Sequence, residues 1–525
     1  MSQSPDISFV DVADKAGLKY AWKTEGSRPL NILQTIGNGC AFLDYNNDGN
    51  LDILLIGPKP ALFEGDGKGH FTDVTVKTGL DKISGHLLGV AVGDFDNDGF
   101  DDLYLTAYRG GILLKNMEGK SFKDVTKESG IPAQPWGTSA SFVDIDGDGK
   151  LDLYIGNYAQ FGPDTKPQLC EMGGRMSSCG PRFYLGESGR LYRNIGGTRF
   201  KEVTKEWNAF NAKGKTLGVV ATNTDGSGRA SLAVANDEET GNLFRNLGRN
   251  FDDIGSSTGF AFQSSGQVQG GMGIDSGDYD NDGKLDLTVA TFQHEPKAVY
   301  HNETTDKKYP IYAESSLLLG MSDSTAPFVA FGVKFFDFNN DGFLDLIFAN
   351  GHVQDNIELI DKTTAYRQPI QLFRNESGKR FTEVDGGAPF QMAIVGRGLA
   401  TGDFDNDGKM DILVVDSEGI PLLLHNECAS SSNSWIGFKL IGSGKSPKDA
   451  YGAEVTVAMD SGKLLRVCHA DGSYMSSSDS RVHFGLGTGK IKSVSVRWPD
   501  GKKQELKHVS PGKYNAVLEP TSPQR

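Results

Sequence analysis

The chain has 525 residues, 67 of them glycine, with 38% hydrophobic residues and a formal net charge of −15. That length exceeds what one core needs and points to several domains or to a repeat array. The charge argues against nucleic acid, whose phosphates demand a basic face, and no apolar run approaches the roughly 18 residues of a membrane span.

The opening stretch, MSQSPDISFVDV, carries no apolar leader; it reads either as a native start or, the favoured reading, as the start of an exported chain from which a leader has been removed. The first informative segment is DYNNDGNLD, which supplies Asp44, Asn46, Asp48 and Asp52. Side-chain oxygens stand at loop positions 1, 3, 5 and 9, glycine stands at 6, and the carbonyl of Asn50 is available at 7. Carboxylates this close disfavour one another's ionisation. A hard dication removes that cost, and calcium takes six to eight oxygens in loose geometry.

One such segment would read equally well as a solvated acidic turn, but the pattern returns five times in full. The second copy supplies Asp94, Asp96, Asp98, the Phe100 carbonyl and Asp102; the third supplies Asp144, Asp146, Asp148, the Lys150 carbonyl and Asp152. After a decayed copy, NTDGSGRAS from Asn223, come Asp278, Asp280, Asp282, the Lys284 carbonyl and Asp286. The last two supply Asp337, Asn339, Asp341, the Phe343 carbonyl and Asp345, then Asp403, Asp405, Asp407, the Lys409 carbonyl and Asp411. About six structural Ca2+ ions are therefore expected, and they would offset most of the net charge. In the decayed copy Ser227 and Ser231 stand where acids belong, so it is expected to bind no metal.

These are not EF-hand loops, which need a bidentate glutamate at position 12. Here that position holds Leu55, Leu105, Ile155, Val289, Phe348 and Val414. Short β-type runs such as LDILLIG follow instead, which places the loops between strands. The early copies start 50 residues apart, a spacing suited to a four-stranded propeller blade. Glycine precedes each loop by five residues at Gly39, Gly89, Gly218, Gly273, Gly332 and Gly398, with Ser139 the exception. That position is expected on the innermost strand, where a side chain would clash.

Two more elements recur: a strand ending in Asn (LLKN, LYRN, LFRN, VYHN, LFRN, LLHN), and F-x-[DE]-[VI] at 71, 122, 200, 251 and 381, with YPIY at 309 as a stand-in. The seventh repeat lacks this last strand, and the unused copy is FVDV at Phe9. An N-terminal strand that closes the final blade resolves the count and removes the exposed edges. The expected fold is all-β: a seven-bladed propeller over residues 1–427, a linker over 428–434, and a small β-sandwich over 435–520.

Residues 157–190 form an insertion in which Cys170 and Cys179 are expected to pair, because no further ligands for zinc stand nearby. Cys40 reads as a small buried hydrophobe, and Cys428 with Cys468 forms a possible link between linker and tail domain. The sequons at Asn302 and Asn375 matter only on a eukaryotic secretory route.

The loops resemble FG-GAP or VCBS repeats of integrin-α-type propellers. The tail, GAEVTV…GSYMSSSDSRVHFGLG…VRWPDGKKQEL, resembles the ASPIC/UnbV domain. With ANGHV at 349, CGPRF at 179 and GRGLATGDFDNDG at 396, the whole chain is similar to bacterial relatives of the cartilage acidic protein family. The resemblance implies a secreted or surface calcium-binding propeller and no agreed chemistry.

Two readings of function follow. In the first, the chain is an extracellular or periplasmic recognition module for a protein, glycan or small molecule, with calcium as a structural rivet. In the second, it is an enzyme whose site is the central funnel, since propellers gather side chains there. The candidates are Asn38, His86, Trp136, Lys215, Gln269 and Arg397, one from each of six blades, and His352 in NGHVQDN. Each of these residues could equally solvate the mouth or pack between blades. No nucleophilic triad, nucleotide-binding glycine loop or zinc motif stands in the chain.

Overall fold

The computed structural model describes residues 7–429 and 432–521, and these are almost entirely strands and turns. Seven sets of four antiparallel strands carry the repeats; the second and third sets join into one eight-stranded sheet where Gln134 and Trp136 pair with Gly110 and Tyr108, and the fourth gains the short strand Gln269–Gly270. Their first strands are Cys40–Leu43, Leu87–Gly93, Gln134–Val143, Thr216–Thr222, Ile274–Gly277, Ala330–Phe336 and Gly396–Gly402. Each touches the next, and the last touches the first, so the sheets form a closed ring. Burial explains the sequence pattern across a blade. Every residue of Leu87–Gly93 is buried, whereas Phe71–Asp73, an outermost strand, buries Phe71 alone. Inner strands covered on both faces therefore read as apolar runs.

The N-terminus closes the ring. Phe9, Val10 and Asp11 pair antiparallel with Asn426, His425 and Leu424, adding the fourth strand to the seventh blade. Phe9 is buried between the rings of Phe338 and Phe390. The outermost strand of the fifth blade is Tyr312–Glu314, which begins on the last residue of the YPIY expected to fill that place.

The tail forms two facing sheets. One contains Ser434–Ile441 between Val482–Gly487 and Tyr514–Leu518, and the other contains Glu454–Met459 between Lys463–Val467 and Ile491–Arg497. Phe438, Val455, Val494 and Trp498 fill the space between, and the same core runs on into Phe95, Phe142 and Leu151 of the propeller. The tail therefore shares an apolar core with the second and third blades.

Between its strands the tail sends one loop, Asp471–Asp479, into the centre of the ring. An innermost strand leaves one edge of N–H and C=O groups unpaired, and buried backbone groups need partners. The loop supplies them in six blades and bonds the Ser139 and Ser141 hydroxyls in the third. Ser477 N–H donates to the Cys40 carbonyl and the Ser477 carbonyl accepts from Phe42 N–H, at 3.0 and 3.1 Å. The Met475 carbonyl accepts from Val90 N–H, Ser473 exchanges both bonds with Ile274, and Asp479 N–H reaches the Thr401 carbonyl. Side chains complete the set: Ser139 Oγ accepts from Met475 N–H, Asp471 Oδ2 from Ala221 N–H, and Ser473 Oγ from Val333 N–H.

The inner glycines make room for this loop or, at Gly218 and Gly332, for the neighbouring blade. A Cβ on Gly39 would lie 1.8 Å from the Met475 carbonyl oxygen, and one on Gly89 2.7 Å from Met475 Cβ. Ser139 breaks the glycine series because its hydroxyl is one of the loop's partners.

The other end of the axis is covered by the 157–190 insertion. Its hairpin, Leu169–Met172 with Arg175–Ser178, is cross-linked by a Cys170–Cys179 disulfide. It reaches the sixth blade's loop through Ser177 Oγ–Asn356 Oδ1 (2.7 Å) and Asn356 Nδ2–Met176 carbonyl (2.8 Å). Trp136, Tyr158, Phe161 and Tyr184 pack beneath it in one cluster that ends on Tyr474 and Met475 of the loop. The ring's axis is filled from both ends.

Cys40, Cys428 and Cys468 are buried free thiols. The link between Cys428 and Cys468 considered from sequence is therefore not made: Cys428 Sγ lies against Ser8, and Cys468 Sγ contacts the carbonyls of Asp449 and Ser480.

Candidate metal centres and the tail that covers them

All six complete loops share one local design. Glycine at position 6 has a positive φ of 84–94°, a region open to glycine at no steric cost, and its N–H donates to the position-1 carboxylate at 2.6–3.2 Å. The position-9 aspartates, Asp52, Asp102, Asp152, Asp286, Asp345 and Asp411, are fully buried. In each, one oxygen accepts from the position-2 N–H and the other from an N–H of the third strand, as with Tyr45 and Gly65 on Asp52. Position 9 thus ties the loop to its own blade.

Position 4 does work invisible in the one-dimensional pattern. Asn47, Asn97, Asn281, Asn340 and Asn406 have φ of 57–61°. The Nδ2 groups of Asn47, Asn97, Asn281 and Asn340 donate to the position-6 carbonyls of the next loops, Gly99, Gly149, Gly342 and Gly408, at 2.5–3.1 Å. The third-strand asparagines add a second stitch. Asn116, Asn194, Asn246, Asn375 and Asn426 each donate 2.7–2.8 Å bonds to the position-2 carbonyl of a neighbouring loop. Asn302 and Asn375, the two sequon residues, are each 2% exposed and hence closed to glycosylation in the folded chain.

The charges fit a dication. Burial, then neighbouring carboxylates, pushes Asp94 and Asp144 up to about 7, and burial pushes Asp52 up to about 8. One oxygen each of Asp44, Asp96, Asp146 and Asp278 is buried and makes no hydrogen bond. One donor atom each from Asp94, Asp96 and Asp102 lies within 4.8 Å of the others, as do those of Asp144, Asp146 and Asp152 and of Asp278, Asp280 and Asp286. Hard oxygens in such sets suit calcium, or another oxygen-seeking cation.

The decayed fourth loop carries its own cation. Arg245 Nε lies 3.1 Å from Asp225 Oδ2, Ser231 Oγ replaces the position-9 carboxylate in accepting from Asn246 N–H, and Asn223 is bonded to Glu454.

In five blades the residue before the third-strand asparagine also leans over its loop. Lys115 contacts Asp96 and Asp98, and Arg193 Nε lies 2.7 Å from Asp146. His301 Nε2 lies 3.0 Å from Asp280 Oδ2, which holds the imidazole's pKa up at about 9, and His425 takes the same place over Asp405.

The tail sits on the loop face and touches loop after loop. Lys439 Nζ lies 2.9 Å from Asp44, Asp449 accepts from Asp94 N–H at 2.6 Å, and Arg466 donates to the Gly342 carbonyl at 3.0 Å. Arg481 donates to Asn406 at 2.6 Å and Tyr514 OH to Asp403 at 3.0 Å.

The expected funnel candidates occupy the filled axis or its rim, and this corrects the picture of free groups around an open mouth. Arg397 is fully buried; its guanidinium donates to the carbonyls of Thr35, Gly351, Gly396 and His352, and stacks 3.9 Å from the Phe331 centroid. His352 is 1% exposed between Gln293 and Gln354 N–H, and burial beside Arg397 pushes its pKa down to about 3. Trp136 is buried edge-on against Tyr108 and Tyr158. Lys215 pairs with Glu239 at 3.2 Å, Gln269 is buried, and Asn38 Nδ2 bonds the Leu87 carbonyl. His86 alone of the seven is exposed, against the Tyr108 ring. The structure brings Arg397 and His352 together, with their polar groups spent on the fold.

The ring of sheets, the acidic loops on one face and the appended β domain define an acidic-loop propeller with a tail that plugs it. Residues 44–105, 94–155 and 337–414 match the FG-GAP-like repeat family, and residues 442–524 match the ASPIC and UnbV family. The chain therefore carries FG-GAP-like repeats and an ASPIC and UnbV domain. It is similar to cartilage acidic protein 1 of Xenopus tropicalis, 26% identical over 515 residues (92% of this chain, 73% of that one), and to the human protein, 25% identical over 513 residues (92% and 71%). Among solved structures, an Agrocybe aegerita lectin that recognises non-reducing terminal N-acetylglucosamine aligns at TM-score 0.43 and 16% identity, covering 73% of this chain and 86% of that one. YCF48 from Cyanidioschyzon merolae aligns at 0.39 and 10%, covering 77% and 99%. Among the described residues no helix is long and apolar enough to cross a membrane.

Proposed function

We propose that the chain is a secreted or periplasmic recognition module whose propeller is riveted by about six Ca2+ ions at Asp44–Asp52, Asp94–Asp102, Asp144–Asp152, Asp278–Asp286, Asp337–Asp345 and Asp403–Asp411. The observation that carries the reading is the set of buried, hydrogen-bond-free carboxylate oxygens in loops that already have the folded shape. In this role calcium neutralises the loop carboxylates, and the protein's own residues hold the loops to one another and to the tail. An extracellular or periplasmic compartment fits the reading, since extracellular calcium modules work at about 10⁻⁴–10⁻³ M and the Cys170–Cys179 disulfide suits an oxidising one.

With both ends of the axis covered, the surface left for a protein, glycan or small-molecule partner is the face of the insertion. An open cavity of about 620 Å³ lies there, bordered by Arg109, Phe161, Asp164, Phe183, Tyr184 and Leu185. Aromatic faces beside a guanidinium and a carboxylate favour stacking and directed hydrogen bonds over catalysis.

Metal content and melting temperature of the full chain, measured in calcium and after chelation, test the reading. Each site saturated at 100 times its dissociation constant contributes about 2.7 kcal/mol, so chelation should lower the melt by many degrees. A metal-free protein with an unchanged melt would overturn it.

A further inference from the structure

The residue at the third-strand position before the asparagine differs in chemical kind from blade to blade. It is Lys115, Arg193, Arg245 and Arg374 in four blades and Glu64 in the first. In the fifth it is histidine. Lysine and arginine offer only donors, whereas imidazole carries a lone pair once it gives up its proton, and metal binding displaces such protons.

The fifth loop has the geometry to use that lone pair. His301 Nε2 lies 3.0 Å from Asp280 Oδ2 and 3.9 Å from Asp282 Oδ2. One donor atom from each of the three residues falls within 4.8 Å of the others. Asp278 is fully buried, and its Oδ1 makes no hydrogen bond. The other ring nitrogen, Nδ1, lies 3.8 Å from Glu303 Oε1, the outer carboxylate that commonly orients metal-bound histidine. In the second and third loops the corresponding space is held by the ammonium of Lys115 and the guanidinium of Arg193. His425 repeats the arrangement in the seventh loop, but there both oxygens of Asp403 are hydrogen-bonded, one of them to Tyr514 OH.

We propose that the fifth loop is a mixed nitrogen–oxygen site, Asp278, Asp280, Asp282, Asp286 and His301, that takes a first-row transition dication in preference to calcium. Imidazole suits such ions while all-carboxylate sets suit calcium and magnesium. The inference rests on the reading that these loops hold metal at all.

The test is Co2+ binding to the full chain in excess Ca2+ at fixed pH, read by the metal content of the dialysed protein and by the ligand-field absorption of bound Co2+. The expected result is retained Co2+ with nitrogen–oxygen absorption. His301→Asn should weaken it at least tenfold, and His301→Lys, which installs the second blade's solution, should remove it. Both variants should keep the parent melt in calcium; any that does not is replaced by His301→Gln. Co2+ retained equally by parent and variants, or exchanged freely by Ca2+ in the parent, would overturn the proposal. Failure of the wider calcium reading looks different: the stripped parent would then take up no calcium at any loop.

Discussion

The loop through the ring's centre makes a demand on stability that can be measured one side chain at a time. Met475 and Tyr474 are both fully buried, Met475 contributes backbone bonds to Val90 and Ser139, and Tyr474 OH donates to the Ile36 carbonyl at 2.8 Å. Truncating a buried methionine costs about 2–5 kcal/mol and a large aromatic about 3–5 kcal/mol. Tyr474→Phe removes only the hydrogen bond, about 1 kcal/mol. The order Tyr474→Ala, Met475→Ala, Tyr474→Phe should therefore appear in urea unfolding with calcium held saturating. Gly39→Ala should join the expensive group, because its methyl would meet the Met475 carbonyl oxygen rather than a flexible side-chain tip. If Met475→Ala and Gly39→Ala each cost less than about 1 kcal/mol, the loop is not seated in the ring.

The remaining expectations concern closure and charge. Deleting residues 1–14 removes the pairing of Phe9–Asp11 with Leu424–Asn426, and should produce aggregation or loss of cooperative unfolding by calorimetry. Cys170→Ser should lower stability by about 2–3 kcal/mol through the lost loop closure, and peptide mass mapping of the non-reduced parent should show the Cys170–Cys179 link. Asn375→Ala leaves the Tyr279 and Leu344 carbonyls without their donor, which predicts a loss of about 1–3 kcal/mol in denaturant unfolding. Lys297 is fully buried and its pKa is pushed down to about 7 by burial. Between that value and about 10.4 the unfolded chain holds the proton that the folded one has released, so stability should rise with pH through this window. A Lys297→Met protein whose pH–stability curve matches the parent's would contradict that assignment.

What was legible in the sequence is what local chemistry dictates. Carboxylates at fixed offsets around a glycine, an asparagine at a strand end and a spare N-terminal strand each have one economical explanation, and the loops, blades and ring closure follow. What was hidden depends on partners far along the chain. Ser473 meets Val333 and Ile274, and Ser477 meets Cys40 and Val90, across separations no periodicity reports; a run of serines reads as a polar loop. Arg397 looked available for a ligand because its partners are main-chain carbonyls, which every residue has and no sequence displays. The same blindness hid the position-4 asparagines, whose acceptors are glycine carbonyls in the next blade.

The filled axis also accounts for the position of the tail domain. A ring of sheets leaves seven inner edges to satisfy, by water in an open channel or by backbone and side chains brought from elsewhere. This chain brings them from its own C-terminal domain, which requires the ring to be closed enough to receive the loop. The same domain presses Lys439, Asp449, Arg466, Arg481 and Tyr514 against the acidic loops. Charge at those loops is therefore expected to bear on closure of the axis. Two like-charged carboxylates left without a cation would push apart the turn that Lys439 or Tyr514 grips, and loosening that grip would draw the loop from the ring. A bound cation acts in the opposite sense, so a single ion can stabilise contacts made by a blade, its neighbour and the tail at once.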